Sequence, residues 1–393
     1  MYKMKHVASS IRRPLSILTS LTKPSNSPFH PRTYSIPANS IIMGAPQTSK
    51  AIIKVAPGKG VIQEGPTPKV RDGHVIVKTK AVSINPTDWK GLYSEKEETI
   101  GTKIGCDFAG EVVEVGAGVT NFKVGDRIAG LSPGANILQK EDGSYGEYLL
   151  TQADVQFHNP LSDEEGATLG VSVFTVGQGL YQNLKLQLPT NPITTGTPIL
   201  IYGGSTASGL WGIQYAKLSG YKVITTASPR NFDYLKSLGA DAVFDYNSPT
   251  VVGDIIAAAG GELALVWDCI SEASSVKISA AAISPKGGKL GLLLPPNIDD
   301  IHAINPNIEA GVTMAYSVFG NPFQRGISSE GKPEDNGFAK KFRDISEKLL
   351  SEGKLKAPKI ELNRGGSGLE GVLVGLEELR QGKVSAAKLI YTI

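Results

Sequence analysis

Pro198-Ile199-Leu200-Ile201-Tyr202-Gly203-Gly204-Ser205-Thr206-Ala207-Ser208-Gly209 is the stretch on which the fold turns. A short apolar run meets two glycines, and an apolar helical pattern continues over residues 209–218. The run is too short for a helix and ordinary for a buried strand, so it reads as a strand turning through glycine into a helix. Outward from it, strands are predicted at 222–227, 242–244, 263–269 and 289–294, with helices at 231–238 and 251–259 between them. Strands alternating with helices require a parallel sheet covered on both faces.

That alternation is the period of a Rossmann unit, and its first strand–helix turn is the usual phosphate site. The helix N-terminus and the backbone N–H groups around Ser205, Thr206, Ala207 and Ser208 would face a pyrophosphate. The hydroxyls of Ser205, Thr206 and Ser208 add donors. The G-x-G-x-x-G spacing is not met, and a serine-rich turn without a ligand is the competing reading. The end of the second strand, Ala227-Ser228-Pro229-Arg230-Asn231, tips the balance. An NAD site would carry Asp or Glu there for the ribose 2′-hydroxyl. No acid is present; Ser228 can donate to a 2′-phosphate and Arg230 can pair with it. The expected cofactor is therefore NADP(H). Tyr181 and Lys185 have the spacing of a short-chain dehydrogenase pair, but they precede the glycine turn and read as chance.

Residues 44–172 look different. Strands are predicted at 50–55, 74–83 and 110–115, punctuated by glycine, and residues 133–145 read as a mobile, turn-rich loop suited to a lid. A long amphipathic helix is expected over 336–351 and a last strand over 386–393 that returns to the first domain. The expected division is a basic extension over 1–43, a β-rich domain over 44–172, a Rossmann domain over 173–324 and a return over 325–393.

Composition sets limits. The chain has 393 residues and a net charge of +3, which becomes −3 once the six bases of residues 1–43 are set aside. The slightly acidic body gives nucleic-acid binding no electrostatic support. No apolar stretch is long enough to span a membrane. Two cysteines, Cys106 and Cys269, exclude a disulfide framework and a cysteine-rich zinc knuckle. Residues 1–43 lack acids and are rich in Ser, Thr and Pro, the composition of a mitochondrial transit peptide. A disordered tail and a start at Met43 are the alternatives, and the expected location is cytoplasmic unless that address operates.

Several segments together resemble the medium-chain dehydrogenase/reductase superfamily over about residues 50–393. They are Ile84-Asn85-Pro86-Thr87-Asp88-Trp89-Lys90, Gly105-Cys106-Asp107-Phe108-Ala109-Gly110, Val124-Gly125-Asp126-Arg127, Ser144-Tyr145-Gly146-Glu147-Tyr148, the turn at 202–208, the strand end at 227–231 and Lys383-Val384-Ser385-Ala386-Ala387-Lys388. Gly203-Gly204-Ser205-Thr206-Ala207, Ser228-Pro229-Arg230-Asn231-Phe232-Asp233 and Ser317-Val318-Phe319-Gly320-Asn321-Pro322-Phe323 are most similar to the zinc-free fungal branch of stand-alone trans-acting enoyl reductases that serve polyketide synthases. The resemblance implies a GroES-like β-rich catalytic domain beside the Rossmann sheet.

It also implies roles. Thr87, Asp88 and Lys90 would lie beside the cofactor, Lys90 positioning the ribose or relaying a proton. Thr175, at the start of a helix, would touch nicotinamide. Tyr246 would line the adenosine pocket, and Leu292, Leu293, Val384 and Ser385 would offer backbone contacts around nicotinamide. Phe319 and Gly320, with Ser317, Val318 and Asn321 around them and Val176 opposite, would line the acyl pocket. Zinc is not expected: Asn85 stands where relatives place a cysteine ligand, Cys106-Asp107 replaces His-Glu, and no cysteine lobe exists. The implied reaction is hydride delivery to the β-carbon of an α,β-unsaturated acyl thioester, with an acyl carrier domain as partner. A quinone or enone reductase and a silent NADPH-binding scaffold remain as alternatives.

Overall fold

The structure is a computed structural model that describes residues 44–325 and 327–393. The basic extension, with its targeting signal, lies outside the described residues.

The chain opens with an antiparallel hairpin, β1 (Thr48–Ala56) and β2 (Lys59–Pro66). Then come β3 (His74–Ser83), α1 (Pro86–Tyr93), β4 (Asp107–Val115), β5 (Arg127–Leu131), β6 (Tyr148–Gln152) and β7 (Phe157–His158). Two short helices, α2 (Asp163–Gly166) and α3 (Gly170–Val176), lead out of this region. The next unit alternates β8 (Pro198–Tyr202), α4 (Ala207–Leu218), β9 (Lys222–Thr226), α5 (Phe232–Ser237), β10 (Ala242–Phe244), α6 (Val251–Ala258), β11 (Leu265–Asp268), α7 (Ala273–Ala282), β12 (Gly288–Leu292), α8 (Ile298–Ile304) and β13 (Ile308–Val312). A small hairpin, β14 (Phe323–Arg325) with β15 (Ile327–Ser329), precedes α9 (Pro333–Ser351), β16 (Ile360–Leu362), α10 (Gly368–Arg380) and β17 (Lys388–Thr392).

The six strands of the alternating unit form one parallel sheet in the order β10-β9-β8-β11-β12-β13. This is the doubly wound Rossmann order, and its direction reverses between β8 and β11, where such sheets bind ligands. The buried run of β8 explains why the sheet is covered twice. Ile199 and Ile201 pack into the cluster holding Trp211 and Trp267, while Leu200 points to the opposite cluster with Val276 and Ala280. Successive side chains leave a strand on opposite faces, so an unbroken apolar run needs a core on each side.

The β-rich region is built on β3, which pairs antiparallel with β4, β6 and β17. The last strand thus closes against a strand laid down some three hundred residues earlier. α9 touches both regions: its Phe342 packs against Tyr181 and Tyr215, and Tyr215 donates to Ser346 Oγ at 2.6 Å, while Glu347 accepts from His158 N at 2.7 Å and Lys340 pairs with Asp154 at 3.3 Å.

Residues 133–145 are not the loose lid that their turn-rich sequence suggests. Ala135 N–H bonds Lys103 O at 2.7 Å, Arg71 grips Asp142 at 2.6 Å, and the buried Tyr145 hydroxyl lies 2.9 Å from Ser83 O and 2.8 Å from Asp88 Oδ2, its one proton shared between them. Only residues 138–141 are exposed. Glycine and proline signalled a change of direction, and hydrogen bonds from distant residues anchor both ends.

One buried cation gives this region a pH signature. Lys103 is almost fully buried, and its ammonium donates to Tyr148 O at 2.6 Å. Burial lowers it from 10.5 to about 7, against a smaller opposing pull from Asp142. Between those two values the unfolded chain holds a proton that the folded chain lacks, so stability from this group rises with pH across the window. Lys103→Met removes the dependence. Its melting temperature minus that of wild type is expected to be larger at pH 7 than at pH 10; equal differences would refute the assignment.

Candidate functional site

At the end of β8 the chain turns through Gly203, whose φ of +78° suits glycine and strains other residues. A Cβ on Gly204 would come within 2.2 Å of Thr225 Oγ1, so glycine lets this turn settle on β9. Thr206 caps α4: its hydroxyl accepts from Gly209 N at 3.0 Å and donates to Gly203 O at 2.8 Å. Its hydroxyl is therefore committed to the helix. The N–H groups of Ser205, Ala207 and Ser208 have no acceptor among the described residues, and these three side chains are half-exposed. Free N–H donors at the positive end of a 12-residue helix form a cradle for an anion.

The end of β9 lies beside this cradle. Ser228 Oγ lies 3.1 Å from Tyr246 OH at a partly open edge. Pro229 and Arg230 are exposed, and Arg230 has no ion pair with any described residue. Asn231 Nδ2 donates to Ser385 Oγ at 3.1 Å, which brings residues 154 apart in sequence to one lip. Leu292 ends β12, fully buried, and Leu293 is held by its N–H bond to Ser271 Oγ at 2.8 Å. These residues, with half-exposed Val384, fit a dinucleotide: an anion cradle, a cationic end and an apolar edge.

Other expected residues are placed differently. Thr175 lies near the end of α3, not at its start, and that helix runs directly into a π-helical turn over Gly177–Asn183. The Asp88 carboxylate is fully buried and accepts from Asn85 N and Tyr145 OH, both at 2.8 Å, so it fixes the start of α1. Burial raises its pKa. Lys90 is exposed, 5.6 Å over the Trp89 ring, with no ion pair among the described residues. Val176 and Val318 are fully buried in the core. Ser317 is held between Gln178, Met314 O and Asp335. Phe319 and Asn321 line a cavity of about 350 Å³ beside β6, and Asn321 donates to Gln152 Oε1 at 2.9 Å. Gly320, between them, ends the 3-10 turn over Ala315–Phe319 with φ of +72°.

The segments that resemble metal-ligand positions form a hydrogen-bonded nest. Asp107 accepts from Ser83 Oγ, Asn85 Nδ2 and Lys388 Nζ at 2.9, 2.8 and 3.0 Å, and from Val171 N at 2.6 Å. Lys388 also donates to Asn85 Oδ1 at 2.6 Å. Next door, Arg325 donates to Cys106 Sγ at 2.9 Å and to Tyr316 OH at 2.6 Å. Burial pushes the Cys106 thiol up to about 12. Zinc needs three or four free, convergent donors. Here the carboxylate lone pairs are taken, the thiol is protonated, and two cations crowd the space; these residues do not fit a zinc ion. Sequence reasoning passed over Tyr316 and Arg325, which carry no spacing signal relative to Cys106. Lys388 did carry one, as a lone cation opening an apolar strand.

Residues 71–160 match the alcohol dehydrogenase GroES-like domain, and residues 207–322 match the zinc-binding dehydrogenase family. The fold and the dinucleotide cradle define a nicotinamide-dependent oxidoreductase of that class. The trans-enoyl reductase resD of Aspergillus sclerotiorum is 39% identical, the match covering 88% of this chain and 100% of that protein. ACTTS2 of Alternaria alternata, also a trans-enoyl reductase, is 40% identical over 88% of this chain and 99% of its own. Among solved structures, the CurK enoyl reductase superposes with a TM-score of 0.71 at 18% identity, covering 88% of this chain and 99% of that one. The quinone oxidoreductase of Coxiella burnetii superposes at 0.67 and 24%, covering 88% and 99%. These two likenesses describe the fold alone. The chain belongs to the medium-chain dehydrogenase/reductase superfamily, in the family of the fungal trans-enoyl reductases.

The buried Asp107–Lys388 pair is the energetic hinge of the nest. Removing one partner of a buried pair strands the other charge and costs about 3–5 kcal/mol. Lys388→Met is expected to lose that much in urea unfolding, and adding Asp107→Asn should recover part of it. Full additivity of the two changes would show that the pair is not coupled.

Proposed function

We propose that the protein is an NADPH-dependent enoyl reductase that saturates the C=C bond of an α,β-unsaturated acyl thioester, carried by an acyl carrier domain of a polyketide synthase. The observation that carries this reading is the β9 end, with Ser228 and exposed Arg230 and no acid, beside a helix N-terminus with free donors. Family membership supplies the reaction class.

The chain's residues divide the work. The N–H groups at Ser205, Ala207 and Ser208 hold the pyrophosphate, and Ser228 and Arg230 hold the 2′-phosphate. Tyr246 lies against the adenosine, with Pro229 beside it. Asn231 and Ser385 tie the lip across the cofactor. Thr87 and Lys90 on α1 and Thr175 on α3 face the ribose and nicotinamide, and Leu292, Leu293 and Val384 keep water from that end. The bound cofactor supplies the hydride that goes to the β-carbon. Lys90, exposed and unpaired with any described carboxylate, relays the proton that the α-carbon then takes. Val176, Ser317 and Val318 back the wall on the acyl side, behind Phe319, Gly320 and Asn321.

Two measurements test this. Arg230→Ala is expected to weaken NADPH on the order of 10- to 100-fold, the loss of one charge-assisted hydrogen bond, and to leave NADH nearly unchanged. Equal losses for both would reject the 2′-phosphate assignment. With deuterated NADPH and an enoyl thioester, the label should appear at the β-carbon of the product and solvent deuterium at the α-carbon. Turnover of free quinones alone would favour a quinone reductase, and cofactor binding without turnover of any acceptor a silent scaffold.

A further inference from the structure

Arg325 is a half-buried cation whose side-chain hydrogen bonds go to neutral groups, with the buried Asp88 carboxylate as a nearby opposite charge. Its Nη1 donates to Cys106 Sγ and Tyr316 OH, and its Nη2 donates to Thr87 O at 2.8 Å. All three acceptors are formally neutral, and no ion pair to Arg325 exists among the described residues. The guanidinium also lies 4.9 Å over the Tyr316 ring. α1 makes room for it: a Cβ on Gly91 would come within 2.8 Å of Nη2. Enclosing a charge costs free energy unless a partner compensates it. Asp88 offsets that cost from a distance, while no carboxylate is hydrogen-bonded to the guanidinium, so its direct contacts leave it able to act on an anion that forms at Tyr316.

The place of this cluster says which anion. Tyr316 OH lies 2.8 Å from Thr87 Oγ1, on the first turn of α1. Tyr316 follows Thr313, whose N–H bonds Leu292 O at 2.8 Å at the carboxyl edge of the parallel sheet. The hydroxyl therefore joins the chain leaving the sheet edge to α1, the helix that carries Thr87 and Lys90. Tyr316 is held protonated by its burial, which outweighs the pull of Arg325. It is a donor whose proton can be turned toward an incoming oxygen.

We propose that Tyr316 is a catalytic residue that donates a hydrogen bond to the substrate carbonyl oxygen, and that Arg325 is the positioning residue that polarises it. This deepens the enoyl reductase reading and rests on it. As hydride bonds to the β-carbon, the C=C π pair moves to the Cα–C bond and the carbonyl π pair moves onto oxygen. That oxygen gains the negative charge, Tyr316 O–H donates to it, and the Arg325 guanidinium offsets it. When the α-carbon takes a proton, the carbonyl reforms and the hydrogen bond relaxes to Thr87. Fixed donors aimed at developing charge are the usual source of such stabilisation.

The test uses the full chain, NADPH and crotonyl-pantetheine. Tyr316→Phe keeps the ring, which packs 5.5 Å from Phe323, and removes only the hydroxyl. Its kcat is expected to fall on the order of 10²- to 10³-fold, as for one lost oxyanion donor, with NADPH affinity unchanged; the melting temperature falls because Arg325 loses an acceptor, so kcat is read well below it. Arg325→Lys should retain more activity than Arg325→Met. The infrared band of the ¹³C-labelled carbonyl should shift to lower frequency on binding wild type and lose that shift with Tyr316→Phe, a readout that a purely structural tyrosine would not move. An unchanged kcat, or a carbonyl band that does not move on wild type, overturns the proposal. If wild type instead reduces only a free enone or quinone, the thioester reading fails; the same loss is then expected with that acceptor, because its oxygen gains the same charge. Failure of Tyr316→Phe to lose activity there overturns the oxyanion assignment separately.

Discussion

Asp107 holds together parts of the chain that have little else in common. It opens β4, receives the first N–H groups of α3 through Val171, takes Asn85 from the entrance to α1, and takes Lys388 from the first residue of β17. One carboxylate thereby sets the start of α1, the start of the helix that crosses into the parallel sheet, and the closing strand. With charge and hydrogen-bond capacity both matched, the pair can be buried at nearly zero exposure. The positions of Thr87, Lys90 and Thr175 follow from it.

Around that nest the site is an arrangement of positive potential made without a metal ligand set. The α4 N-terminus offers free donors with exposed Arg230 beside it, while Arg325 is half-buried among Cys106, Tyr316 and Thr87. Each uses a different source of charge: a backbone dipole, an exposed guanidinium and a half-buried one. The exposed group is screened by water and salt. The half-buried one is screened less and acts at close range. This division suits a reaction in which a polyanion must be held throughout and a single negative charge appears only briefly.

The fold itself does not choose the chemistry. An enoyl reductase and a quinone oxidoreductase superpose on this chain about equally well at under 25% identity. Function lives in the groups mounted on the scaffold. In the proposed reading those are the strand end after β9 and the segments that carry Tyr316 and Arg325.

What the sequence by itself determined was local. The apolar run of β8, the glycine turn, the strand–helix alternation and the absence of an acid after β9 each depend on neighbours within a few residues, so spacing and residue type were enough. The bond from Asn231 to Ser385 was not legible, because the two residues lie 154 apart in the chain. Thr175 was placed at a helix start because sequence shows apolar periodicity better than helix ends; the chain instead continues through a π-helical turn. Residues 133–145 read as loose because glycines report bends and say nothing of Arg71 or Lys103 anchoring them. Asp88 looked like a polar site residue and proved to be a buried cap. The pairing of Asp107 with Lys388 across 281 residues, and of Arg325 with Cys106 across 219, was decided only by the tertiary structure. Enclosed charges are stable only when the fold brings their partners to within hydrogen-bond distance, and no local pattern records which distant residue that will be.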